Sequence, residues 1–181
     1  NKRTSGTGSS KGNCGESTSR KWKIENLPAG RQVESRMGRR NEVVVVALDK
    51  RYKKLEKGLI KTTEKAFDFL RQSGVKVEIY LVGTSRIRTL NRQYRGRDEA
   101  TNVLAYESPG FPEPQSSRRL LGEIYLCPPY IKGKREDIGF LLVHGLLHLV
   151  GFNHQKESDR MTMERLEKQL ASFLREHSER F

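Results

Sequence analysis

The sequence predicts one folded α/β or α+β domain preceded by a basic tail. Four short segments have strand-like hydrophobic patterns, and helical segments lie between and after them. Residues 1–41 carry ten Lys or Arg against three Asp or Glu, and their one aromatic residue is Trp22. Such a segment buries too little apolar surface to offset the entropy lost on ordering. We therefore expect residues 1–41 to be disordered and residues 42–181 to form the folded domain.

The four strand segments differ in pattern. Residues 43–48 are a continuous run rich in valine, which is typical of a buried strand. Residues 75–81 alternate between apolar and polar side chains, which is typical of a strand with one buried face. Two more strands are predicted over 103–107 and 120–127, with residues 108–119 as the loop between them.

The helices are predicted from apolar residues at three- and four-residue spacing. They cover residues 52–71, 137–150 and 156–176. A further helix follows the second strand, with Thr84 or Ser85 as its capping residue. Pro128 and Pro129 begin an irregular or helical link.

The inward faces of two of these helices follow from the same spacing. Ile87, Leu90 and Tyr94 are expected to face the core from the second helix. The expected core contacts of the last helix are Met161, Met163, Leu166, Leu170, Phe173 and Leu174.

Composition excludes several classes of protein. One of the two cysteines lies in the predicted tail, so a disulfide framework is not expected and a reducing, cytoplasmic location fits. The longest apolar stretch, residues 138–152, is too short for a membrane helix, so no membrane partner is expected. A net charge of +13 and a pI near 10.0 indicate a polyanionic partner, with nucleic acid as the first candidate.

Three of the four histidines fall within the pattern HxxxHxxGxxH, formed by His144, His148, Gly151 and His154. Histidines four residues apart lie on one face of a helix, where two imidazoles can bind one metal ion. Gly151 can adopt the left-handed conformation that turns the chain back and brings in His154. Three histidines with an open fourth position are typical of a catalytic zinc site, so we predict one Zn²⁺ per chain.

The same spacing occurs in metzincin peptidases, where a glutamate that acts as general base follows the first histidine. Here that residue is Gly145, which can neither accept a proton nor orient a water molecule. Peptide hydrolysis by that mechanism is therefore disfavoured.

Three stretches resemble the YbeY family of bacterial-type endoribonucleases, which act in rRNA maturation. His144–His154 resembles the family pattern HGxLHLxGxxH, Tyr94–Leu104 resembles YRGxxxxTNVLSF, and Leu121–Cys127 resembles its LGDI or LGEI strand. The resemblance covers about residues 43–175. Departures include Asn153 in place of the usual Asp, and Ala105-Tyr106 in place of Ser-Phe.

The resemblance implies an α+β fold with a mixed four-stranded sheet packed by helices, including a zincin-like metal helix. It implies one zinc ion on His144, His148 and His154, with Arg95 and His144 as catalytic residues. It also implies cleavage of single-stranded RNA or rRNA near the small ribosomal subunit, with no DNA substrate expected.

Arginines provide an independent sign of phosphate binding. Arg88, Arg92 and Arg95 recur at helical spacing, and Arg97 extends the row. A guanidinium can hold a phosphate through two hydrogen bonds, although the same row can be an ordinary solvated helix face. Glu123 is open to two interpretations, either a partner of a ligand histidine or an edge-strand carboxylate.

The leading hypothesis is a zinc-dependent endoribonuclease that uses a metal-activated water in rRNA processing and ribosome maturation. One alternative is a metallopeptidase of the HxxxHxxGxxH type. The other is a ribosome-assembly factor without catalysis, in which zinc only stabilises the fold.

Overall fold

A computed structural model describes residues 40–109, 118–154 and 156–177. Most of the predicted tail and the middle of the predicted 108–119 loop lie outside these residues. The described strands are β1 (Glu42–Ala47), β2 (Val75–Leu81), β3 (Val103–Glu107) and β4 (Arg119–Leu126). The described α-helices are α1 (Glu56–Phe69), α2 (Thr84–Arg95), α3 (Pro128–Lys134), α4 (Ile138–Leu149) and α5 (Glu157–Glu176).

The strands form one mixed sheet in the order β1-β2-β4-β3. β1 and β4 pair with β2 in parallel, and β3 pairs with β4 antiparallel at the edge of the sheet. The α+β class with a mixed four-stranded sheet is therefore confirmed. No helix among the described residues has both the length and the apolar character needed to cross a bilayer.

Each face of the sheet has its own apolar cluster. Val75, Val77, Ile79 and Leu81 of β2 are buried in a large cluster with residues of α1, α4 and α5. Tyr80 belongs to a smaller cluster on the other face, where Ile87 and Leu90 of α2 are buried. This division follows from the alternation of side chains along a strand, and it places α4 and α2 on opposite faces.

The first two helices begin differently from the prediction. Residues 50–55 form a 3₁₀ turn, capped by the Asp49 carboxylate, which accepts from the backbone N–H of Arg51, and α1 begins only at Glu56. Gly83, with extended backbone, stands at the N-terminus of α2 and offers no capping side chain, so capping by Thr84 or Ser85 is wrong.

Tyr94 does not face the core as predicted, since it is 60% exposed. Asn91 takes the inward position beside Ile87 and Leu90, because its side-chain amide donates to the carbonyl of Glu99 at 2.9 Å. That bond ties the loop after α2 back to the helix. Tyr94 instead lies against the ring of Tyr106 on β3.

Met161 is also exposed, which corrects its assignment to the core. The buried stripe of α5 consists of Met163, Leu166 and Leu170. Two residues along a helix correspond to a rotation of about 200°, so Met161 and Met163 lie on opposite sides of α5.

A β-bulge in β4 brings three elements together at Gly122. The register of β2 and β4 shifts between Lys76 and Val77, so that Leu120 and Gly122 pair with consecutive residues of β2. Gly122 has φ +146°, and a Cβ there would overlap the carbonyl oxygen of Tyr106 and lie 3.0 Å from Cδ2 of Leu149. The missing side chain therefore lets β3 and the end of α4 approach β4.

We expect Gly122→Ala to lower the free energy of unfolding by about 2–4 kcal/mol, because it combines a strained backbone with a clash against main-chain atoms. Gly58→Ala is the matched control, since Gly58 lies within α1 and a Cβ there meets nothing within 4 Å. The control should raise stability by up to about 1 kcal/mol. Urea denaturation measures both changes, and a Gly122→Ala variant as stable as the parent would contradict this packing.

Candidate metal centre

α4 supplies two of the three histidines from its single open side. The helix begins where the Asp137 carboxylate accepts from the backbone N–H of Phe140 at 2.6 Å. From Leu141 to Leu149 every residue is buried except His144 and His148. Their spacing of four residues aligns both imidazoles toward solvent.

The third histidine reaches the site through a turn after α4. Gly151 has φ +97°, a left-handed conformation that glycine adopts without a side-chain penalty. Its N–H donates to the carbonyl of His148, and the N–H of Phe152 donates to that of Leu147, both at 2.9 Å. The chain then doubles back to His154, as the sequence predicts.

The three imidazoles form a compact cluster. Ring centroids of His144 and His148 are 4.7 Å apart, those of His148 and His154 are 4.8 Å apart, and those of His144 and His154 are 5.5 Å apart. One ligand atom from each residue lies within 4.8 Å of the others. This group can hold a metal ion.

The Nδ1 atoms of both α4 histidines already have hydrogen-bond partners within the protein. His144 Nδ1 lies 2.7 Å from Glu167 Oε1, and His148 Nδ1 lies 3.1 Å from the carbonyl oxygen of Phe152. Because both partners are acceptors, each Nδ1 carries the proton and donates it. The Nε2 atoms of the two rings therefore remain available as metal ligands.

These two Nε2 atoms face each other at 3.2 Å. Two ring nitrogens at this distance either share a proton or bind one cation between them. Ligand nitrogens of a tetrahedral zinc site, each about 2.0–2.1 Å from the metal, are about 3.3 Å apart. The donor set and its spacing therefore fit a divalent metal such as zinc.

His148 is held in the neutral form that metal binding requires. Burial, reinforced by the neighbouring His144 and His154, lowers the pKa of His148 to about 4. Near neutral pH no proton therefore competes with a metal ion for this ring.

Glu167 of α5 is a site residue that sequence reasoning did not identify. Its carboxylate orients His144, the role for which Glu123 was one candidate. Glu123 instead accepts a hydrogen bond from the Tyr125 hydroxyl at 2.6 Å. The sequence contains one signal, because Glu167 lies four residues after Met163 and three before Leu170, on the helix face that carries the core residues.

Arg95 lies at the end of α2, within electrostatic reach of the cluster. After burial and the neighbouring histidines, its positive charge contributes to lowering the pKa of His148, and it opposes the rise that burial causes in the pKa of Tyr106. Gly96, with φ +69°, ends the helix directly after it. Arg95 is exposed and has no carboxylate partner among the described residues.

The other predicted arginines are arranged differently. Arg88 makes two hydrogen bonds to Asp98, at 2.9 and 2.8 Å, so its guanidinium already has an anionic partner. Arg92 also lies within electrostatic reach of Asp98, while Arg97 is exposed in the loop that follows α2. Within this row, Arg95 is the arginine whose charge acts on His148.

Gly145 faces the sheet and not the metal cluster. A Cβ at this position would lie 3.2 Å from two carbon atoms of Ile124 on β4. The glycine therefore serves close packing of α4 on the sheet. A glutamate at this position would meet the core and not the open side of α4.

Comparisons with known proteins agree on one family. The family model described as Endoribonuclease YbeY matches residues 39–175. The Endoribonuclease YbeY of Persephonella marina is 33% identical over 126 residues, which cover 65% of this chain and 82% of the relative. The one from a Sulfurihydrogenibium species is 36% identical over 108 residues, covering 54% and 68% of the two chains.

A further relative and a solved structure are also similar to this chain. The Endoribonuclease YbeY of Cellvibrio japonicus is 36% identical over 117 residues, covering 60% of this chain and 65% of the relative. The solution structure of TM1509 from Thermotoga maritima shares 24% identity at a TM-score of 0.45, covering 75% of this chain and 93% of that chain.

We expect Glu167→Gln to weaken metal binding about 10- to 100-fold, because the neutral amide no longer orients and polarises His144 as a carboxylate does. Glu164→Gln is the matched control on the same helix, since Glu164 is exposed and bound to Arg160. Competition with a chromophoric chelator gives both affinities. Equal affinity in the two variants would contradict the role of Glu167.

Proposed function

The chain belongs to the YbeY endoribonuclease family, and on that premise we propose that it is a zinc-dependent hydrolase of single-stranded RNA, acting in rRNA processing and ribosome maturation. The observation that carries this proposal is the convergence of three histidines, two of them with facing Nε2 atoms, within electrostatic reach of Arg95, which has no carboxylate partner among the described residues. A metal site beside such a guanidinium suits a phosphodiester substrate.

We assign His144, His148 and His154 as the ligands of one zinc ion per chain. When bound at such a site, zinc supplies a Lewis acid and a water of lowered pKa. Glu167 and the Phe152 carbonyl hold two of the rings so that Nε2 points into the site. Through this orientation His144 belongs to the catalytic machinery as well as to the ligand set.

Arg95 is proposed to bind the phosphate that is cleaved. Negative charge builds on the phosphate oxygens in the transition state, and a cation across from the metal stabilises it. The guanidinium can bond two of these oxygens at once, which an ammonium cannot do in the same geometry. Its position in the last turn of α2 leaves it open to solvent and to substrate.

The remaining contacts to RNA are proposed along α2 and its following loop. Arg92 and Arg97 are exposed and suit contacts to neighbouring phosphates. Arg88 can contribute once its bonds to Asp98 are exchanged for bonds to phosphate. The basic segment 1–41 would add contacts that depend on salt and not on sequence.

We propose the small ribosomal subunit as the place of action and the cytoplasm as the compartment, with no DNA substrate. The first rests on the resemblance in sequence, and the second on cysteine content. Gly145 argues against a peptidase, because it offers no carboxylate and faces Ile124. A factor without catalysis remains the alternative, which a cleavage assay with and without zinc separates.

We expect native mass spectrometry to show one zinc ion per chain, and His148→Ala to lose most of it because a facing nitrogen is removed. Zinc should also raise the melting temperature of the parent, since it binds the folded state. His177→Ala is the control, because the His177 imidazole lies at the end of α5, where its Nδ1 bonds the Phe173 carbonyl, and is not part of the histidine cluster. Full zinc content in His148→Ala would refute the ligand assignment.

We expect Arg95→Ala to fold, keep its zinc and cleave single-stranded rRNA fragments about 10²- to 10³-fold more slowly, because a transition-state donor is lost. Arg95→Lys should recover only part of the rate. Arg51→Ala is the control, since Arg51 is an exposed arginine paired with Asp49. Single-turnover cleavage gives the rates, and an Arg95→Ala rate equal to that of the parent would remove Arg95 from the mechanism.

A further inference from the structure

Two exposed aromatic rings lie on the helices that carry the site residues. Four large hydrophobic side chains are exposed in the part of the chain that the structure describes: Leu48 at 59%, Tyr94 at 60%, Phe140 at 43% and Met161 at 63%. The two aromatic side chains are Tyr94, next to Arg95 on α2, and Phe140, on α4.

Phe140 continues the open side of α4. It lies four residues before His144 and eight before His148, so the three side chains form one stripe with steps of about 6 Å along the axis. The residues between them are buried. An exposed phenyl ring thus adjoins the first ligand, on the side away from the second.

Tyr94 directly precedes Arg95, whose charge acts on His148. Its ring packs on Tyr106 with centroids 4.7 Å apart and planes at 44°. Tyr106 itself contacts Tyr125 edge-on at 6.0 Å, so the exposed ring rests on a fixed aromatic support. Through the bulge at Gly122, the backbone of Tyr106 also adjoins Leu149, the residue after His148.

We propose that Phe140 and Tyr94 are base-stacking residues, which hold the nucleotides on either side of the phosphate that is cleaved. This inference rests on the proposed endoribonuclease function and names how that site selects its substrate. Nucleobases stack on exposed aromatic rings in a manner that tolerates any sequence. Bases already stacked and paired within a duplex cannot reach such rings, so the two side chains favour single-stranded RNA.

The two rings suit this role because of where they lie, and not only because they are exposed. Arg95, which follows Tyr94, provides the cation for the phosphate and acts on His148, whereas Phe140 lies one helical turn before His144. One ring therefore adjoins the arginine and the other adjoins the first ligand, so a strand whose phosphate lies at the cluster can contact both. Leu48 and Met161, equally exposed, offer no flat face for a base.

The test compares two RNAs with the same backbone charge, a labelled oligouridylate and an abasic RNA of equal length. Their binding to the zinc-loaded protein is measured by fluorescence anisotropy at fixed salt concentration. We expect the parent to bind the base-containing RNA more tightly than the abasic RNA. Tyr94→Ala and Phe140→Ala should each bind the base-containing RNA about 5- to 150-fold more weakly than the parent does. Affinity for the abasic RNA should stay unchanged in both variants.

Conservative and control variants separate stacking from folding. Tyr94→Phe and Phe140→Tyr keep a flat ring and should retain the preference for bases. Leu48→Ala and Met161→Ala remove an equally exposed side chain and should leave both affinities unchanged. In cleavage, the alanine variants should raise KM for single strands more than they lower kcat, and should reduce the preference for single strands over duplexes.

Three results would overturn the inference. A parent that binds both RNAs equally, or alanine variants that lose affinity for both RNAs alike, would show that the rings do not contact bases. Unchanged RNA binding in the alanine variants would assign the rings to another partner, such as a protein. A parent that neither binds nor cleaves RNA would instead refute the proposed function itself. That failure is distinguishable because it is seen in the parent protein, before any residue is substituted.

Discussion

The site depends on two imidazole nitrogens that the fold holds face to face. His144 and His148 each direct Nδ1 at a fixed acceptor, which leaves their Nε2 atoms facing each other at 3.2 Å. The surrounding packing holds this arrangement. A metal ion that binds there binds only the folded state, which couples metal binding to the stability of that state.

The elements that hold these two rings in place come from distant parts of the sequence. Gly145 allows α4 to lie close to Ile124, and Gly122 allows β3 and Leu149 to approach β4. α5 contributes the Glu167 carboxylate, and the turn at Gly151 returns the Phe152 carbonyl to His148. Glycine thus acts here in two ways, by permitting close contact and by permitting a left-handed turn, and both serve the same pair of rings.

The parts of this site that depend on neighbouring residues in the sequence could be predicted from it. The spacing of His144 and His148 defines one helix face, and Gly151 predicts the turn to His154, because both depend on a few consecutive residues. Glu167 and the exposure of Tyr94 depend on tertiary contacts. The first needs α5 to pack beside α4, and the second arises because Asn91 takes the inward position through its bond to the Glu99 carbonyl. The four strands were predicted to within one residue, whereas the 3₁₀ turn before α1 was missed, since its sequence continues the helical pattern.

X-ray absorption at the zinc edge tests the three-histidine site most directly, because it reports the atoms bound to the metal. The full chain loaded with one equivalent of zinc should show three imidazole nitrogens at about 2.0–2.1 Å together with an additional light-atom ligand. A sulfur scatterer at about 2.3 Å would instead place zinc on a cysteine. That result, or a spectrum unchanged by substitution of His144 and His148, would contradict the assignment of the three histidines.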